Sequence, residues 1–270
     1  MRLRRLGWAG IELESQGERV VVDLLVDPGI FAGFMGEPRD ELIEPEPGVR
    51  AALLTHLHRD HADVGTIRRV LAQDGVVLRP EPAEITELDE VPLGEAEAAL
   101  GGGDLAVRTA KPGDSVELGP FTATAVDAVD GLGSPQVSWV VRADGEAVLH
   151  GGDTLWHGRW WHIARQQGPI HVACLPANGV QLDYPQYQPA VDEPAALTPE
   201  QAVKAARALG AGALCPIHYN ATFDREPFYR PVDDPEGRLA AASEKYEVPV
   251  AMLRPGEWTE VSAVAAAVAS

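Results

Sequence analysis

The chain has 270 residues, of which 45% are hydrophobic, so it has enough apolar material for a sizeable buried core. Its 22 basic and 41 acidic residues give a formal net charge of −19, which disfavours binding to nucleic acid or to an anionic membrane. The N-terminus is charged without a following apolar stretch, and no apolar run reaches membrane-spanning length. We therefore expect a cytoplasmic protein.

The N-terminal part predicts β-structure followed by a long loop. Residues 2–15 alternate loosely, and residues 19–24 predict a second strand that completes a β-hairpin. Residues 28–47, rich in Gly, Pro and acidic side chains, predict a loop of functional length. The apolar residues in that loop either form a lid that contacts substrate or pack as a small satellite core, and both interpretations stay open.

The middle of the chain alternates predicted strands and helices. A short strand at 51–54 precedes a helix at 62–73, a strand at 76–78 and a short helix at 93–100. Next come a hairpin over 107–116, a strand at 121–129, and a strand pair, 138–142 and 147–150, around the turn signal Ala143–Gly145. Residues 155–167 predict a helix, and 170–175 predict a buried strand.

The C-terminal part begins with a second long loop at 180–196. Thr198, Pro199 and Gln201 predict a capped helix start, and Gly210 predicts its end. A strand at 213–217, a helix at 235–246 and a strand at 248–253 follow. We expect one domain over residues 1–262, with residues 263–270 as a frayed tail.

The densest group of potential metal ligands directly follows the predicted strand 51–54. Three of the chain's 8 histidines fall within residues 56–61. His56 and His58 point to the same side of an extended backbone, while Asp60 and His61 follow where the chain turns and can serve a second centre. Imidazole nitrogen and carboxylate oxygen without thiolate suit Zn, Mn or Fe. The stretch therefore predicts a metal site.

The motif at residues 56–61 resembles the His-x-His-x-Asp-His signature of the metallo-β-lactamase superfamily. The motifs Gly151–Thr154 and Pro216–Tyr219 support the resemblance, which runs from about Leu6 to about Phe223. Within the superfamily, the chain resembles the branch related to L-ascorbate-6-phosphate lactonases. The resemblance implies an α+β fold, an αββα sandwich of two mixed β-sheets flanked by helices. The signature is specific for this fold and much less so for the substrate.

The resemblance also implies two divalent metal ions, Zn or Mn, with Fe as a further candidate. The implied ligands are His56 and His58 for the first metal, Asp60, His61 and His218 for the second, and Asp153 as the bridge. Asp23 or Asp27 corresponds to the family's aspartate that braces the metal loop. Trp8 stands where a polar residue is common in the family.

Asp130 is a departure from the family pattern. The first metal usually takes a third histidine after the strand corresponding to 121–129, and Asp130 stands in its place. Aspartate can bind the metal and shifts the preference toward Mn or Fe. Two divalent ions and a hydroxide against three aspartates sum to about zero, where a histidine would leave about +1. An altered but working site and loss of the first metal both stay open.

The resemblance implies hydrolysis by a hydroxide that bridges the two metals. Asp60 is expected to orient it as well as to bind metal, and His157 or Tyr219 to protonate the leaving group, with His150 as a weaker candidate and core packing as the alternative for the two histidines. The residues assigned to substrate binding are Phe31, Phe34, Met35, Trp156, Asn178 and Tyr184.

The acidic surface and the neutral site favour a small lactone, ester or amide as the substrate. Hydrolysis of a phosphodiester or phosphate-sugar is the alternative, and it needs basic groups near the metals, for which Arg59, Arg225 and Arg230 are the candidates. A metal-binding protein without catalysis is a third interpretation. We expect a small-molecule substrate, no nucleic-acid or membrane partner, and leave homo-oligomerisation open. Cys174 and Cys215 are expected to be buried small side chains.

Overall fold

The computed structural model describes residues 1–29, 39, 41–82, 90–183, 191–220 and 228–266. Two mixed β-sheets pack face to face, and the apolar side chains between them form the largest core. Helices cover the two outer faces. The αββα sandwich predicted from the resemblance is therefore confirmed.

The first sheet has seven strands and supplies the metal loop at residues 55–61. Its first four members pair antiparallel at one side, and the others pair parallel, so that β3, β4, β5 and β6 all point in one direction. In spatial order the strands are β15 (Thr259–Glu260), β1 (Arg2–Gly7), β2 (Gly10–Ser15), β3 (Glu18–Val22), β4 (Val49–Leu53), β5 (Leu71–Pro80) and β6 (Ala106–Ala110).

The second sheet has six strands and supplies the remaining candidate ligands. Its last three strands in sequence pair parallel, and the others pair antiparallel. In spatial order the strands are β13 (Ala213–Ile217), β11 (Val172–Pro176), β10 (Glu146–His150), β9 (Val137–Ala143), β8 (Phe121–Asp127) and β7 (Ser115–Leu118). A separate two-stranded sheet pairs β12 (Gln181–Leu182) with β14 (Tyr229–Arg230).

Each outer face is covered by its own set of helices. Against the first sheet lie α1 (Val64–Val70) and α2 (Glu90–Leu100). Against the second lie α3 (Trp160–Gln167), α4 (Pro199–Leu209) and α5 (Pro235–Tyr246). The predicted capping box of α4 is present, with Thr198 and Gln201 bonded reciprocally, and Gly210 ends the helix at a φ of 64°. No helix in the described part of the chain is long and apolar enough to cross a membrane.

Four local predictions are wrong. Residues 2–15 form two strands, because the chain reverses at Gly7–Gly10 and pairs β1 with β2. Residues 107–116 form no hairpin, since β6 is an edge strand of the first sheet and β7 is an edge strand of the second, and the connection between them passes from one sheet to the other. Residues 248–253 form no strand beyond an isolated bridge at Val250.

The fourth wrong prediction concerns the C-terminus. The predicted frayed tail is wrong for residues 263–266, because the chain forms α6 (Val261–Ala266) and buries Val261 and Val264 in the core between the sheets. Residues 267–270, the rest of the predicted tail, lie outside the described residues. The alanine-rich composition concealed two apolar residues spaced three apart, which lie on one helix face. The helix predicted for 155–167 is also shorter, since only Trp160–Gln167 is helical.

Candidate metal centre

The candidate ligands lie at the carboxyl ends of strands that meet at one edge of the sandwich. The metal loop with His56, His58, Asp60 and His61 follows β4, and Asp130 follows β8. Two further loops complete the site, because Asp153 follows β10 and His218 follows β13. The fold therefore brings together residues that are up to 162 positions apart in the sequence, from His56 to His218.

The first of two donor groups contains Asp60, His61, Asp153 and His218, whose donor atoms all lie within 4.8 Å of one another. Nε2 of His218 is 3.1 Å from Oδ2 of Asp60 and 3.2 Å from Oδ2 of Asp153. Nε2 of His61 is 3.0 Å from Oδ1 of Asp153. Two imidazoles and two carboxylates thus converge on one buried point.

The second donor group contains His56, His58 and Asp130, also within 4.8 Å of one another. Oδ2 of Asp130 accepts hydrogen bonds from the backbone N–H groups of Leu132, at 2.8 Å, and Ser134, at 2.9 Å. Oδ1 is left facing His58, 3.9 Å from its Nδ1. The aspartate that replaces the family's histidine is therefore turned toward the site and anchored there by the backbone.

These residues fit a pair of bound cations. Nε2 of His56, Nε2 of His61 and Oδ1 of Asp153 are buried, and none has a hydrogen-bond partner in the described part of the chain. The 3.0 Å approach between the last two atoms does not have the geometry of a hydrogen bond. A buried polar atom left without a partner costs about 1–3 kcal/mol. One divalent ion in each donor group would satisfy all three atoms.

Asp23 orients two of the ligand histidines. Its Oδ1 accepts from the backbone N–H of Thr55 at 2.8 Å, and its Oδ2 accepts from Thr55 Oγ1 and His61 Nδ1, both at 2.7 Å. Because Thr55 donates its hydroxyl proton to Asp23, Oγ1 accepts from Nδ1 of His56 at 3.0 Å. Both histidines therefore keep a proton on Nδ1 and turn Nε2 toward the site, where it can offer a lone pair to a cation.

This geometry resolves the choice between Asp23 and Asp27. Asp27 instead accepts a hydrogen bond from the backbone of Gly29 in a local turn. Asp23 is fully buried and has a φ of 52°, a conformation that aspartate tolerates better than most residues.

Trp8 contacts two candidate ligands at once, a role that the sequence did not indicate. Its indole Nε1–H donates to Oδ2 of Asp60 at 2.9 Å, and its ring centre lies 4.0 Å from that of His218. The backbone of His218 also donates to the carbonyl of Trp8 at 3.1 Å. Both residues have positive φ, 43° and 55°, which is uncommon for bulky side chains and typical of functional sites.

Burial and neighbouring charges set the protonation of the histidines. Burial lowers the pKa of His56 well below its usual value, and the nearby imidazoles lower it further, so His56 is neutral as a metal ligand must be. Burial also acts to lower the pKa of His61, but the carboxylates of Asp153, Asp60 and Asp23 outweigh it and raise that pKa well above its usual value. A bound cation would displace this proton from His61.

The pKa values of the three site carboxylates are shifted in different directions. Burial acts to raise the pKa of Asp60 and of Asp153, but interactions with His61 and His218 outweigh it and lower both pKa values. Burial raises the pKa of Asp130 despite the opposing effects of His58 and the backbone hydrogen bonds. Asp130 is thus the carboxylate whose ionised form depends most on a cation.

The three general-acid candidates lie in packed surroundings. His157 stacks on Trp160, with ring centres 4.1 Å apart, and its Nδ1 accepts from the backbone of Arg159. Burial lowers its pKa to about 4, so it is neutral at pH 7. Tyr219 packs in the core beneath the helices of the second sheet, with its ring 5.4 Å from the guanidinium carbon of Arg5. His150 is fully buried, and its Nε2 lies 2.8 Å from the carbonyl of Ala9.

The residues assigned to substrate binding are placed differently from one another. Trp156 is exposed beside the segment that carries Asp130, because the backbone of Leu155 donates to the carbonyl of Val129. Asn178 is buried and its amide is 2.9 Å from Nδ1 of His218, so it supports a ligand. The other four, Phe31, Phe34, Met35 and Tyr184, lie outside the described residues.

The arginines proposed for a phosphate substrate are engaged elsewhere. Arg59 donates to the carbonyl of Asp27 at 2.6 Å and lies 3.4 Å from a carboxylate oxygen of Asp63. Arg230 pairs with Asp192 at 2.9 Å. Arg225 lies outside the described residues. As predicted, Cys174 and Cys215 are buried and form no disulfide, and they lie side by side on β11 and β13.

The sequence and the fold are similar to known proteins. The profile described as "Beta-lactamase superfamily domain" matches residues 18–219, more than half of the chain. The chain is 24% identical over 265 residues to a UPF0173 metal-dependent hydrolase of Thermococcus kodakarensis, covering 97% of this chain and 100% of that protein. It is 28% identical over 269 residues to a UPF0173 metal-dependent hydrolase of Opitutus terrae, with 97% and 100% covered.

Among solved structures, CmlA, a diiron β-hydroxylase from Streptomyces venezuelae, superposes with a TM-score of 0.70 at 16% identity. The superposition covers 94% of this chain and 52% of CmlA. At that identity the similarity concerns the fold alone.

Proposed function

The chain belongs to the β-lactamase superfamily, and from that premise we propose that it is a metal-dependent hydrolase that acts on a small lactone, ester or amide with two divalent metal ions. The observation that carries the proposal is the pair of adjacent donor groups, in which three buried ligand atoms lack any other partner. The two relatives of similar length named above are also described as metal-dependent hydrolases.

In the proposed site, His56, His58 and Asp130 hold the first ion, and Asp60, His61 and His218 hold the second, with Asp153 between them. When bound, two such ions lower the pKa of a water molecule and polarise the carbonyl that it attacks. Asp60 has a second role in orienting that water, and the hydrogen bond from Trp8 fixes its carboxylate for it. The metals are proposed to be Zn or Mn, with Fe as a further candidate, and the carboxylate in the first group shifts the preference toward Mn or Fe.

The charge of the site favours a neutral substrate. The three site aspartates offset most of the charge of two divalent ions, which weakens the attraction for an anionic substrate. Arg59 and Arg230 already pair with protein oxygens. A neutral acyl substrate therefore fits the described site better than a phosphodiester. A cytoplasmic location and a small-molecule partner remain predictions from the sequence.

The test is metal analysis of the purified protein together with turnover of generic esters, lactones and bis-p-nitrophenyl phosphate. We expect two equivalents of metal and hydrolysis of an ester or lactone, both reduced in H61Q. The matched control is H162Q, which removes a histidine on α3 outside the donor groups. Less than one bound equivalent in a folded protein would favour the non-catalytic interpretation, and turnover of the phosphate diester alone would favour the alternative hydrolase.

A second candidate function is dioxygen-dependent oxidation at iron. Two histidines and one carboxylate, the composition of the first donor group, are the ligand set of many non-haem iron oxygenases. CmlA, which shares the fold, is described as a diiron β-hydroxylase. Oxygen uptake by Fe(II)-loaded protein, supplied with an external two-electron reductant and a panel of small acids, would support this candidate, provided that D130H abolishes the uptake.

A further inference from the structure

We propose that Asn178 is a positioning residue that selects the tautomer of His218, and that its side-chain amide rotates when metal binds. The inference rests on the proposed function only in assuming that His218 binds metal through Nε2. Asn178 lies just beyond β11, beside the end of β13 that carries His218, and is 2% exposed. The described contacts of its amide are with His218 and Tyr229, which makes it the direct support of that ligand.

The hydrogen bonds of the metal-free site define one tautomer. Nδ2 of Asn178 is 2.9 Å from Nδ1 of His218 and 2.8 Å from the hydroxyl oxygen of Tyr229. An amide nitrogen can only donate, so Nδ1 of His218 must accept. The ring proton then lies on Nε2, which donates toward Asp60 at 3.1 Å. The metal-free arrangement is therefore internally consistent, with the proton on the atom that faces the site.

Metal binding requires the opposite tautomer. Nε2 must offer a lone pair to the cation, so the ring proton moves to Nδ1. The Nδ1–H of His218 and the Nδ2–H of Asn178 would then face each other at 2.9 Å without an acceptor between them. Either the hydrogen bond is lost or the amide turns.

A half-turn of the amide restores both hydrogen bonds with their directions reversed. Oδ1 of Asn178, which is buried without a partner in the described structure, moves to the position of Nδ2. There it accepts from Nδ1–H of His218 and from the hydroxyl of Tyr229, which can donate as well as accept. Before the rotation Oδ1 is the amide atom without a partner in the described part of the chain, and after it Nδ2 takes that position. Asn178 can thus support His218 in both states.

His61 provides the contrast within the same donor group. Its Nδ1 faces the carboxylate of Asp23, which when ionised can only accept, so His61 carries its Nδ1 proton with or without metal. Asn178, at the corresponding place behind His218, can either donate to Nδ1 or accept from it, whereas the Asp23 carboxylate can only accept. The expected consequence is that metal loading rearranges protons at His218 and leaves the Nδ1 proton of His61 in place.

The test is nitrogen NMR of ¹⁵N-histidine-labelled protein, which distinguishes Nδ1–H from Nε2–H imidazoles, with H218Q identifying the His218 signals. We expect Nε2–H in the metal-free wild type and Nδ1–H after zinc is added. N178D, whose carboxylate only accepts, should hold His218 as Nδ1–H without zinc. N178L, which removes the support, should weaken zinc binding by roughly 10–100-fold in a chelator competition.

Two results would overturn the inference: the same His218 tautomer in wild type with and without zinc, or an N178D spectrum unchanged from wild type. The wild-type comparison needs no variant and so survives a folding defect in N178D. If the wild type binds no zinc, the proposed function fails, while the metal-free spectra of wild type and N178D still decide whether Asn178 selects the tautomer.

Discussion

Oδ1 of Asp130 lies 3.9 Å from Nδ1 of His58, while the other oxygen of the same carboxylate is held by two backbone N–H groups. The loop after β8 therefore aims a carboxylate at the position where the superfamily usually has a histidine. The hydrogen bonds to Leu132 and Ser134 account for why the shorter side chain stays in place. Whether the first metal site is altered but working, or lost, depends on this carboxylate.

We expect D130A to lose one of two bound metal equivalents, because His56 and His58 alone form an incomplete ligand set. D130N is the matched control for the loop, since its amide oxygen can still accept from both backbone N–H groups but carries no charge. D130H should keep both equivalents and bind zinc in preference to manganese. Metal analysis after dialysis against equal zinc and manganese measures both effects. Two equivalents retained in D130A would exclude Asp130 as a ligand.

We expect D23A to lose both stability and metal affinity. Asp23 is fully buried and accepts three hydrogen bonds, so its removal leaves Thr55 and His61 with unpaired donors. The expected cost is about 3–5 kcal/mol in the free energy of unfolding and roughly 10–100-fold in metal affinity. D27A, which removes a carboxylate from a nearby surface turn, should change both by little. Denaturant unfolding and chelator competition provide the two measurements.

The cluster of candidate ligands was predictable because its donor residues are dense in the sequence, whereas the residues that contact the cluster were not. His56 to His61 lie in one short stretch, and Asp153 and His218 follow strands with clear apolar patterns. Trp8 and Asn178 reach their partners only through tertiary folding, across 52 and 40 positions. An isolated tryptophan or asparagine has no local pattern that distinguishes a site residue from a packed or loop residue.

The fold class was also predictable from the sequence, whereas the pairing of some strands was not. Alternation of apolar residues identified most strands, but it does not specify which sheet a strand joins. The turn signal Pro112–Gly113 is present, yet β6 and β7 do not pair with each other: β6 pairs parallel with β5 in the first sheet, and β7 pairs antiparallel with β8 in the second. The C-terminal α6 was missed because helix formation there depends on Val264 reaching the core.

We expect His157 to make the protein less stable as the pH falls from about 6.5 to about 4. Burial lowers the pKa of His157 to about 4 in the folded state from 6.5 when exposed, so the unfolded chain binds the proton first. The stability that neutral His157 contributes is fully present above pH 6.5, the pKa of the unfolded chain. It is lost as the pH falls from about 6.5 to about 4. The shift corresponds to at most about 3 kcal/mol, and solvent screening reduces the expected loss to about 1–2 kcal/mol.

The measurement is the free energy of unfolding of metal-free protein at pH 7 and pH 4.5. H157F, which keeps the stacking surface for Trp160 but cannot be protonated, should show a smaller difference between the two pH values than wild type. H162Q should match wild type. An equal pH dependence in H157F and wild type would contradict the prediction.

The last prediction concerns Trp8, whose indole N–H is bonded to Oδ2 of Asp60 at 2.9 Å. W8F keeps an aromatic ring against His218 but removes this donor, so the carboxylate loses one of the contacts that fix its orientation. We expect metal affinity to fall roughly tenfold. The matched control is W160F, which shortens a ring that is equally buried and whose ring contacts are with His157 and Trp156. Both variants lose buried volume and should be destabilised by about 1–3 kcal/mol, but only W8F should weaken metal binding.

Quenching of tryptophan fluorescence by Co(II) gives an independent readout, because the indole nearest the metals should lose the most emission. If W8F and W160F bind metal equally well, Trp8 serves packing alone and the hydrogen bond to Asp60 has no part in holding the cation.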